Sequence, residues 1–272
     1  LIRRLLGKHF AVWTDSVSLK SGFKFKIKRM FLSFILNKAD KILTTGEYGI
    51  ERFKKSGLAP KNNRYMNLPV FVPIPDIHSK NTPMGPVKFL CAGRLVKRKG
   101  YDQVLESLYK CVQSGKSSFE LNISGTGPEE DRLKSLSIKL NIADKVNFLG
   151  WKEPEELEWL RLENDVFIQY VPTPDPFPVS VLEAMAYRMP VVGSDIAGSV
   201  VERVENGISG FVIEANNIDK LYTCLSEIMS KPELISAMSS NAQKKANEWD
   251  ISRGVKIVEG LFNWKKSTQF QK

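Results

Sequence analysis

From Val87 onward, short apolar segments typical of strands alternate with longer segments of helical periodicity. Strands are predicted at residues 88–92, 119–123, 146–149, 166–170, 191–194 and 210–213. Helices are predicted between and after them at 101–112, 129–139, 155–162, 179–187 and 218–229. Strands that alternate with helices form right-handed βαβ units, so we expect a parallel sheet covered by helices on both faces. Ligands of such sheets bind at the carboxyl ends of the strands, where loops meet helix amino termini.

Residues 1–69 have the pattern of the last part of another α/β domain. A strand is predicted at 9–14, a helix near 23–38, a strand at 41–45 and a helix at 48–55. The next segment, VFVPIPDIHSKNTPMGP at residues 70–86, contains four prolines, which interrupt both helices and sheets. We interpret it as an interdomain linker, followed by a domain at 87–249 and a final helix at 250–272. Two helical stretches are predicted over residues 232–264, with a break near Asp250. The chain starts at Leu1, without the layout of a signal peptide, so we expect it to begin inside a longer protein.

The positive charge is concentrated at the amino end. Residues 1–64 contain 15 basic and 4 acidic side chains, a formal charge of +11, whereas the remaining residues contain 25 basic and 26 acidic ones. This asymmetry indicates that the amino-terminal part contacts an anionic surface, either membrane phospholipid or nucleic acid. The chain lacks the aromatic and glycine signatures of known nucleic-acid-binding modules, so we do not predict nucleic-acid binding.

One basic and apolar tract in this region has two interpretations. No apolar run approaches the ~20 residues that a membrane-spanning helix needs. The tract KFKIKRMFLSFILNKAD places basic residues around Met30-Phe31-Leu32 and Phe34-Ile35-Leu36. It is compatible with a helix in a membrane interface, and equally with a domain helix that buries one face and keeps its lysine heads in water.

Cysteine and histidine are scarce. The chain has 3 cysteines without metal-ligand spacing and 2 histidines. We expect reduced, mostly buried thiols in an intracellular, cytoplasmic protein, and no His-rich metal site.

The loop AGRLVKRKGYDQV follows the first strand of the main domain. Gly93 frees the backbone for a tight turn, and Arg94 and Lys99 are cations suited to a diphosphate at the ligand edge of the sheet. A solvated basic turn is the alternative. The position directly after a strand favours the functional interpretation.

Two further glycine-containing loops follow strands. Gly125 and Gly127 in ISGTGPEEDRL lie between a strand and a helix, but the third glycine of a dinucleotide fingerprint is missing, so we do not predict NAD. Gly150 and Trp151 end a strand, where the backbone can line a base pocket or form a structural turn with a packed Trp.

The stretch DPFPVSVLEAMAYRMPVVGSD contains a pair of acids around a helix start. Prolines preset helix entry at Val179, so the amides of Val179, Ser180 and Val181 become first-turn donors for a phosphate. Glu183 follows about one turn into the helix, where a carboxylate can accept from vicinal hydroxyls, and Asp175 projects from the preceding loop.

Together these motifs resemble a known family. Gly93-Arg94-Leu95, Gly125-x-Gly127-Pro128, Phe148-Leu149-Gly150, the acid-x7-acid block with LEAMA, and Glu205-Asn206-Gly207-x-x-Gly210 occur in that order. From about Val87 to the end, the chain is similar to the carboxyl-terminal, donor-binding domain of a retaining glycosyltransferase of family 4. That family has the α/β GT-B fold of two Rossmann-like domains, so the resemblance implies one complete domain and part of a second.

The resemblance also implies roles for individual residues. Arg94 and Lys99 would hold the donor diphosphate, Glu183 the ribose hydroxyls and Asp175 the transferred sugar, while Gly150 and its neighbours would approach the base. The family needs no metal or cofactor beyond its nucleoside diphosphate sugar. It more often has Glu at position 175 and Gly at 176 and 178. Its catalytic His is replaced by Thr14, which leaves the adjacent Asp15 as a candidate for orienting the acceptor or the sugar.

The implied activity is transfer of a hexose, with retention at the anomeric carbon, from a nucleoside diphosphate sugar to a glycan or lipid-linked glycan acceptor. Polysaccharide or glycolipid synthesis is the expected setting, with peripheral contact to an anionic membrane through the basic amino-terminal part. Two alternatives remain open at this point. One is a nucleotide-sugar-binding fragment without turnover, and the other is a sugar-nucleotide epimerase of the same fold.

Overall fold

The structure is a computed structural model that describes residues 10–14, 23–56, 58, 65–68 and 70–267. Of the predicted positions, His9, Asp15 and the last part of the final helix, residues 268–272, lie outside these residues. The chain divides into two compact units, Leu1–Val70 with Lys256–Lys272, and Phe71–Val255. Each unit is described by itself below.

The larger unit contains a six-stranded, wholly parallel sheet. Its strands are β4 (Val87–Ala92), β5 (Phe119–Ser124), β6 (Val146–Gly150), β7 (Val166–Gln169), β8 (Val191–Ser194) and β9 (Gly210–Ile213). The predicted six strands are thus confirmed to within a residue at each end. The α/β class is confirmed by the helices between them.

The helices of this unit match the predicted positions with one addition. They are α3 (Tyr101–Gln113), α4 (Glu130–Lys139), α5 (Pro154–Glu163), α6 (Val179–Ala186), α7 (Gly198–Arg203), α8 (Ile218–Ser230) and α9 (Glu233–Asn247). The sequence analysis missed α7, a helix of only six residues. Two buried apolar clusters show that the sheet is covered on both sides: Phe89 and Leu121 belong to one and Leu90 and Phe167 to the other. Adjacent residues of β4 therefore face opposite cores, as expected for a doubly covered sheet.

The strand order places a switch point in the middle of the sheet. The order is β6-β5-β4-β7-β8-β9, so the chain proceeds outward from β4 to β6 and then returns to β7 on the other side of β4. In open α/β sheets the ligand crevice lies at this reversal, outside the carboxyl ends of the strands. The loops after β4 and β7 are therefore the first place to look for a site.

The proline-rich segment is anchored along the larger unit. Arg188 donates through one guanidinium nitrogen to the carbonyls of Ile77 and His78, at 2.8 Å each. The ammonium group of Lys80 donates to the carbonyls of Arg161 and Asn164 at the end of α5. Arg188 of the folded unit thus satisfies backbone carbonyls of the proline-rich segment, and Lys80 of that segment satisfies carbonyls at the end of α5.

The last helix, α10 (Ile251–Ser267), begins after the predicted break at Asp250. The carboxylate of Asp250 accepts from the amide of Ser252 at 2.9 Å, which caps the helix. Hydrogen bonds from the hydroxyl of Ser252, from its amide and from neighbouring amides lower the pKa of Asp250.

The described part of the smaller unit contains three parallel strands, β1 (Ala11–Thr14), β2 (Lys41–Thr44) and β3 (Tyr65–Asn67). Two helices, α1 (Phe23–Lys38) and α2 (Glu47–Ser56), accompany them, and β3 was not predicted. Its small core consists of Leu36, Ile42, Phe53 and Leu58. Among the described residues of the chain, no helix is both long and apolar enough to cross a membrane.

Candidate active site

The loops after β4, β5 and β6 enclose a cleft of about 490 Å³ at the carboxyl edge of the sheet. Five of the residues predicted to bind a donor line it: Gly93, Arg94, Gly125, Gly127 and Trp151. Lys152, Pro154 and Leu157 complete the wall on the α5 side. Three segments that are far apart in sequence therefore form one cavity, large enough for a small organic ligand.

The glycines of this cleft are needed for backbone packing. A Cβ on Gly125, which has φ +132°, would lie 2.0 Å from the carbonyl oxygen of Gly93. A Cβ on Gly127 would lie 2.3 Å from the carbonyl oxygen of Leu95. Amide-to-carbonyl bonds of 2.9 Å join Gly93 to Ser124 and Leu95 to Thr126. The two loops are thus laid directly against each other, which only glycine permits here.

The two predicted diphosphate-binding cations have different environments. Arg94 is exposed, lines the cleft, and has no ion-pair partner among the residues that the structure describes. Lys99 is largely buried, and its ammonium group lies 2.5 Å from a carboxylate oxygen of Asp175. Arg98 lies 3.7 Å from the other oxygen of the same carboxylate. Arg94 is available to an anionic ligand as it stands, whereas Lys99 already has a partner.

Asp175 is held tightly in the loop between β7 and α6. Only 8% of the residue is exposed. Its amide donates to the carbonyl of Ile196 at 3.3 Å, and its carbonyl accepts from Gly198 at 2.9 Å. Lys99 follows β4 and Asp175 follows β7, so their ion pair joins the two loops at the switch point of the sheet.

The start of α6 is arranged largely as predicted. Pro178 occupies the N-cap position and has no side-chain acceptor for the first-turn amides. The amide of Val181 bonds to the carbonyl of Pro178 at 3.3 Å, so it is not a free donor. Val179 and Ser180 stand at the first two helical positions, whose amides have no partner within a helix. The hydroxyl of Ser180 donates to Gln169 at the end of β7, 3.2 Å away.

Glu183 is half-buried on α6 and paired with an arginine that sequence reasoning missed. One oxygen of its carboxylate lies 2.6 Å from a guanidinium nitrogen of Arg161, on α5. Arg161 is 8% exposed, and its guanidinium also lies 5.6 Å from the ring centroid of Tyr187. This contact keeps the carboxylate oriented and leaves acceptor capacity on it, since a carboxylate has about four lone-pair sites.

Trp151 lines the far wall of the cleft, and Gly150 precedes it at the end of β6. Gly150 has φ +68°, and its carbonyl accepts from the amide of Gly125 at 2.7 Å. Trp151 is 70% exposed, and its indole nitrogen donates to Glu153 at 3.3 Å. The packed Trp of the structural alternative is therefore not found. The ring is free to stack on a planar group.

Tyr101 supports the loop that carries Arg94. Its hydroxyl donates to the carbonyl of Gly93 at 3.0 Å. Burial raises the pKa of Tyr101, so the hydroxyl remains protonated and keeps this bond throughout the neutral range.

A second missed arginine lies behind the loop of Asp175. Arg203, on α7, is 2% exposed, and its guanidinium lies 4.7 Å from the ring centroid of Phe177 and 4.2 Å from that of Trp249. Burial lowers its pKa to about 10, which leaves it charged at neutral pH. The stack holds the loop Asp175–Pro178 against α7 and the end of α9. Phe177 and Trp249 are 72 residues apart in the sequence, so only the fold brings them together around Arg203.

These features agree with comparisons to known proteins. The profile of a family described as "Glycosyl transferases group 1" matches residues 74–245, more than half of the chain. The chain belongs to this family. The matched range starts in the proline-rich segment and contains every residue of the cleft described above.

The chain is also similar to individual members. It is 28% identical over 172 residues to an uncharacterized glycosyltransferase of Haemophilus influenzae, covering 63% of this chain and 48% of that protein. It is 26% identical over 223 residues to the putative colanic acid biosynthesis glycosyltransferase WcaL of Salmonella typhimurium, covering 79% of this chain and 54% of that protein. The chain thus spans about half the length of these relatives.

Among solved structures, Anabaena Alr3699/HepE in complex with UDP superposes with a TM-score of 0.83 at 18% identity, over 96% of this chain and 74% of that one. At this identity the likeness shows the fold, which is the α/β GT-B fold of glycosyltransferases.

Proposed function

We propose that the intact protein is a retaining hexosyltransferase of family 4. It takes a hexose from a nucleoside diphosphate sugar and transfers it to a hydroxyl of a glycan or lipid-linked glycan. The observation that carries the proposal is the cleft at the sheet edge, where an unpaired guanidinium, close-packed glycine loops and an exposed indole face one volume. A cation, backbone amides and an aromatic ring are the groups that a nucleoside diphosphate needs.

The departing diphosphate is stabilised electrostatically in this proposal. Arg94 meets the phosphates directly, and Lys99 approaches them from the end of the same loop, while Asp175 of the loop after β7 holds it in place. The amides of Val179 and Ser180 add the partial positive charge of a helix start. Preorganised donors aimed at developing negative charge are commonly the largest single term in catalysis.

The two carboxylates take the hydroxyl groups. Glu183, oriented by Arg161, accepts from the ribose hydroxyls, and the carboxylate of Asp175 accepts from the transferred sugar. Asp15 is proposed to orient the acceptor or the sugar in the intact protein. None of these steps requires a metal or a further cofactor. We place the reaction in the cytoplasm, in polysaccharide or glycolipid synthesis, as the name of the Salmonella typhimurium relative suggests.

A second function is favoured by one observation. Since the relatives are about twice as long as the matched part of this chain, the 272 residues can hold the donor without completing the transfer. Donor binding and turnover are therefore measured separately.

Calorimetric titration with UDP, GDP and ADP, and then with their sugars, tests donor binding. We expect one nucleotide to bind selectively and Arg94→Met to weaken it at least tenfold, because a charge-assisted contact to phosphate is lost. The matched control is Lys116→Met, which removes the same charge from an exposed position in the loop before β5, at the opposite edge of the sheet. Equal affinities of the two variants, or no binding of any nucleotide to the chain, would contradict the assignment of the cleft.

Turnover is tested by release of the free nucleotide from the sugar nucleotide that binds, in the presence of glycan acceptors. Binding without release in both this chain and a longer form of the protein would favour the binding module. Release that Glu183→Ala abolishes, in a variant that circular dichroism shows to be folded, supports the transferase.

A further inference from the structure

Helix α1 has one face in the core of the smaller unit. Leu36 is fully buried, and Leu32 is partly buried against the same cluster. Arg29, on this side as well, donates to the carbonyl of Ser56 at the end of α2. These contacts fix the rotation of α1 about its axis, so the exposure of its other faces is defined.

The face opposite the core is also apolar. Among the side chains of α1 that the structure describes, four large ones are exposed there: Ile27 at 50%, Met30 at 71%, Phe31 at 67% and Phe34 at 49%. Their spacing of three, one and three residues is that of one stripe along a helix. At 100° per residue the centre of this stripe lies roughly 170° from that of the core-facing Leu32 and Leu36. Helix α1 therefore has one apolar face that packs on the core and a second apolar stripe on the outside.

Lysines border the outer stripe. Lys26 and Lys28 are exposed, and helical geometry places them roughly 100° to either side of its centre. The helix sequence FKFKIKRMFLSFILNK contains five basic residues and no acidic one. Apolar side chains between flanking cations are the pattern of a helix that lies in the interface of an anionic bilayer, with its rings among the acyl chains and its ammonium groups at the lipid phosphates.

We infer that the outer stripe of α1 binds the surface of an anionic phospholipid membrane. This inference concerns α1 alone and is independent of the proposed transferase activity. The charge argues against a second copy of the chain as the occupant, because a symmetric contact would bring like-charged lysines together. Four apolar side chains in the centre argue against nucleic acid, whose contacts are mainly to phosphates.

Co-sedimentation of the 272-residue chain with vesicles tests the inference. Vesicles of phosphatidylcholine with phosphatidylglycerol are expected to bind the chain at low salt, and vesicles of phosphatidylcholine alone to bind it at least tenfold more weakly. Phe31→Glu is expected to reduce binding at least tenfold, because a charge replaces a ring that inserts into the bilayer. Lys26→Gln and Lys28→Gln are each expected to reduce it about fivefold, the effect of one cation near an anionic surface.

Ile138→Glu is the matched control, because Ile138 is 68% exposed on α4 of the larger unit. It adds the same charge and removes a similarly exposed apolar side chain, so it is expected to bind like the unchanged protein. Both positions are exposed, and circular dichroism will show whether each variant is folded.

Three results would overturn the inference. The first is equal binding to both kinds of vesicle, and the second is equal loss in Phe31→Glu and Ile138→Glu. The third is that Phe31→Glu leaves vesicle binding unaffected but abolishes either a concentration-dependent dimer of the chain or its competition by an oligonucleotide. Because vesicle binding needs no donor, a failure here leaves the nucleotide titrations unaffected.

Discussion

The two sides of the switch point are built in opposite ways. On the side of β4, Arg94 and Trp151 are exposed and line an open cleft over closely packed glycine loops. On the side of β7, Asp175 is buried and ion-paired, and the loop that carries it is stacked on Arg203. The cleft-lining groups of the first side are free to bind a ligand, whereas Asp175 on the second side is held in place by internal contacts. A site of this kind needs both, since a ligand is bound by free groups and oriented by fixed ones.

The largest expected effect comes from breaking the fixed side. Asp175→Ala leaves the ammonium of Lys99 buried without its 2.5 Å partner. Loss of one partner of a buried pair costs about 3–5 kcal/mol of unfolding free energy, whereas loss of both costs much less. Denaturant unfolding of Asp175→Ala, of Lys99→Met and of the double variant measures this. We expect the double variant to lose less unfolding free energy than the two single variants lose when their losses are added.

A second ion pair serves as the control. Lys110 and Asp219 are also 2.5 Å apart, but their side chains are 45% and 80% exposed. Asp219→Ala is expected to cost no more than about 1 kcal/mol, because water replaces the partner. If the two Asp→Ala variants lose equal stability, or if the changes at Asp175 and Lys99 are additive, the ion pair does not fix this side of the site.

The open side is predicted to be rigid in its backbone despite its exposure. In Gly125→Ala the new methyl group meets the carbonyl oxygen of Gly93 at 2.0 Å in a conformation that L-residues rarely adopt. Strain and overpacking together are expected to cost about 2–4 kcal/mol. Gly150→Ala is the comparison, because φ is +68° there but no atom lies within 4 Å of the added carbon.

For Gly150→Ala we expect only the cost of the left-handed conformation, about 1–2 kcal/mol. Thermal and denaturant unfolding of both variants provide the measurement. Equal losses would show that the close approach of the two glycine loops relaxes without cost, and that the open side is less fixed than its geometry indicates.

The sequence predicted the frame of the fold better than its internal contacts. All six strands of the main sheet were placed to within a residue at each end, because strands covered on both faces are short apolar runs. Helix α7 was missed, since its six residues are too few to show a helical period. Strand β3 has only three residues and no alternation to detect.

The site followed the same pattern. Five of the motif residues lie along one cleft, as expected of loops that follow neighbouring parallel strands, because strand-to-loop positions are visible in the sequence. Arg161 and Arg203 were missed, since nothing local distinguishes a buried arginine on a helix from an exposed one. The contact of Lys99 with Asp175 was also not predicted, as each had been assigned to a different part of the ligand. Pairs that are 76 residues apart depend on strand order, which periodicity does not reveal.

The smallest expected effect concerns pH and the support beneath Glu183. Lys80 donates to the carbonyl of Arg161, the residue that holds Glu183, and burial lowers the pKa of Lys80 to about 8. In the unfolded chain its pKa is near the usual 10.4. Between these values the unfolded state binds more protons than the folded state, so Lys80 makes the unfolding free energy rise with pH from about 8 to about 10.4.

The measurement is the unfolding free energy of the unchanged protein minus that of Lys80→Met, from pH 7 to 10. This difference is expected to stay constant below pH 7.5 or so and then to increase in favour of the unchanged protein, because only there does Lys80 lose its proton on folding. Lys116→Met, at an exposed position, should give a flat difference over the same range. A flat difference for Lys80→Met as well would mean that the ammonium is solvated, and that the proline-rich segment is held by Arg188 rather than by a buried charge.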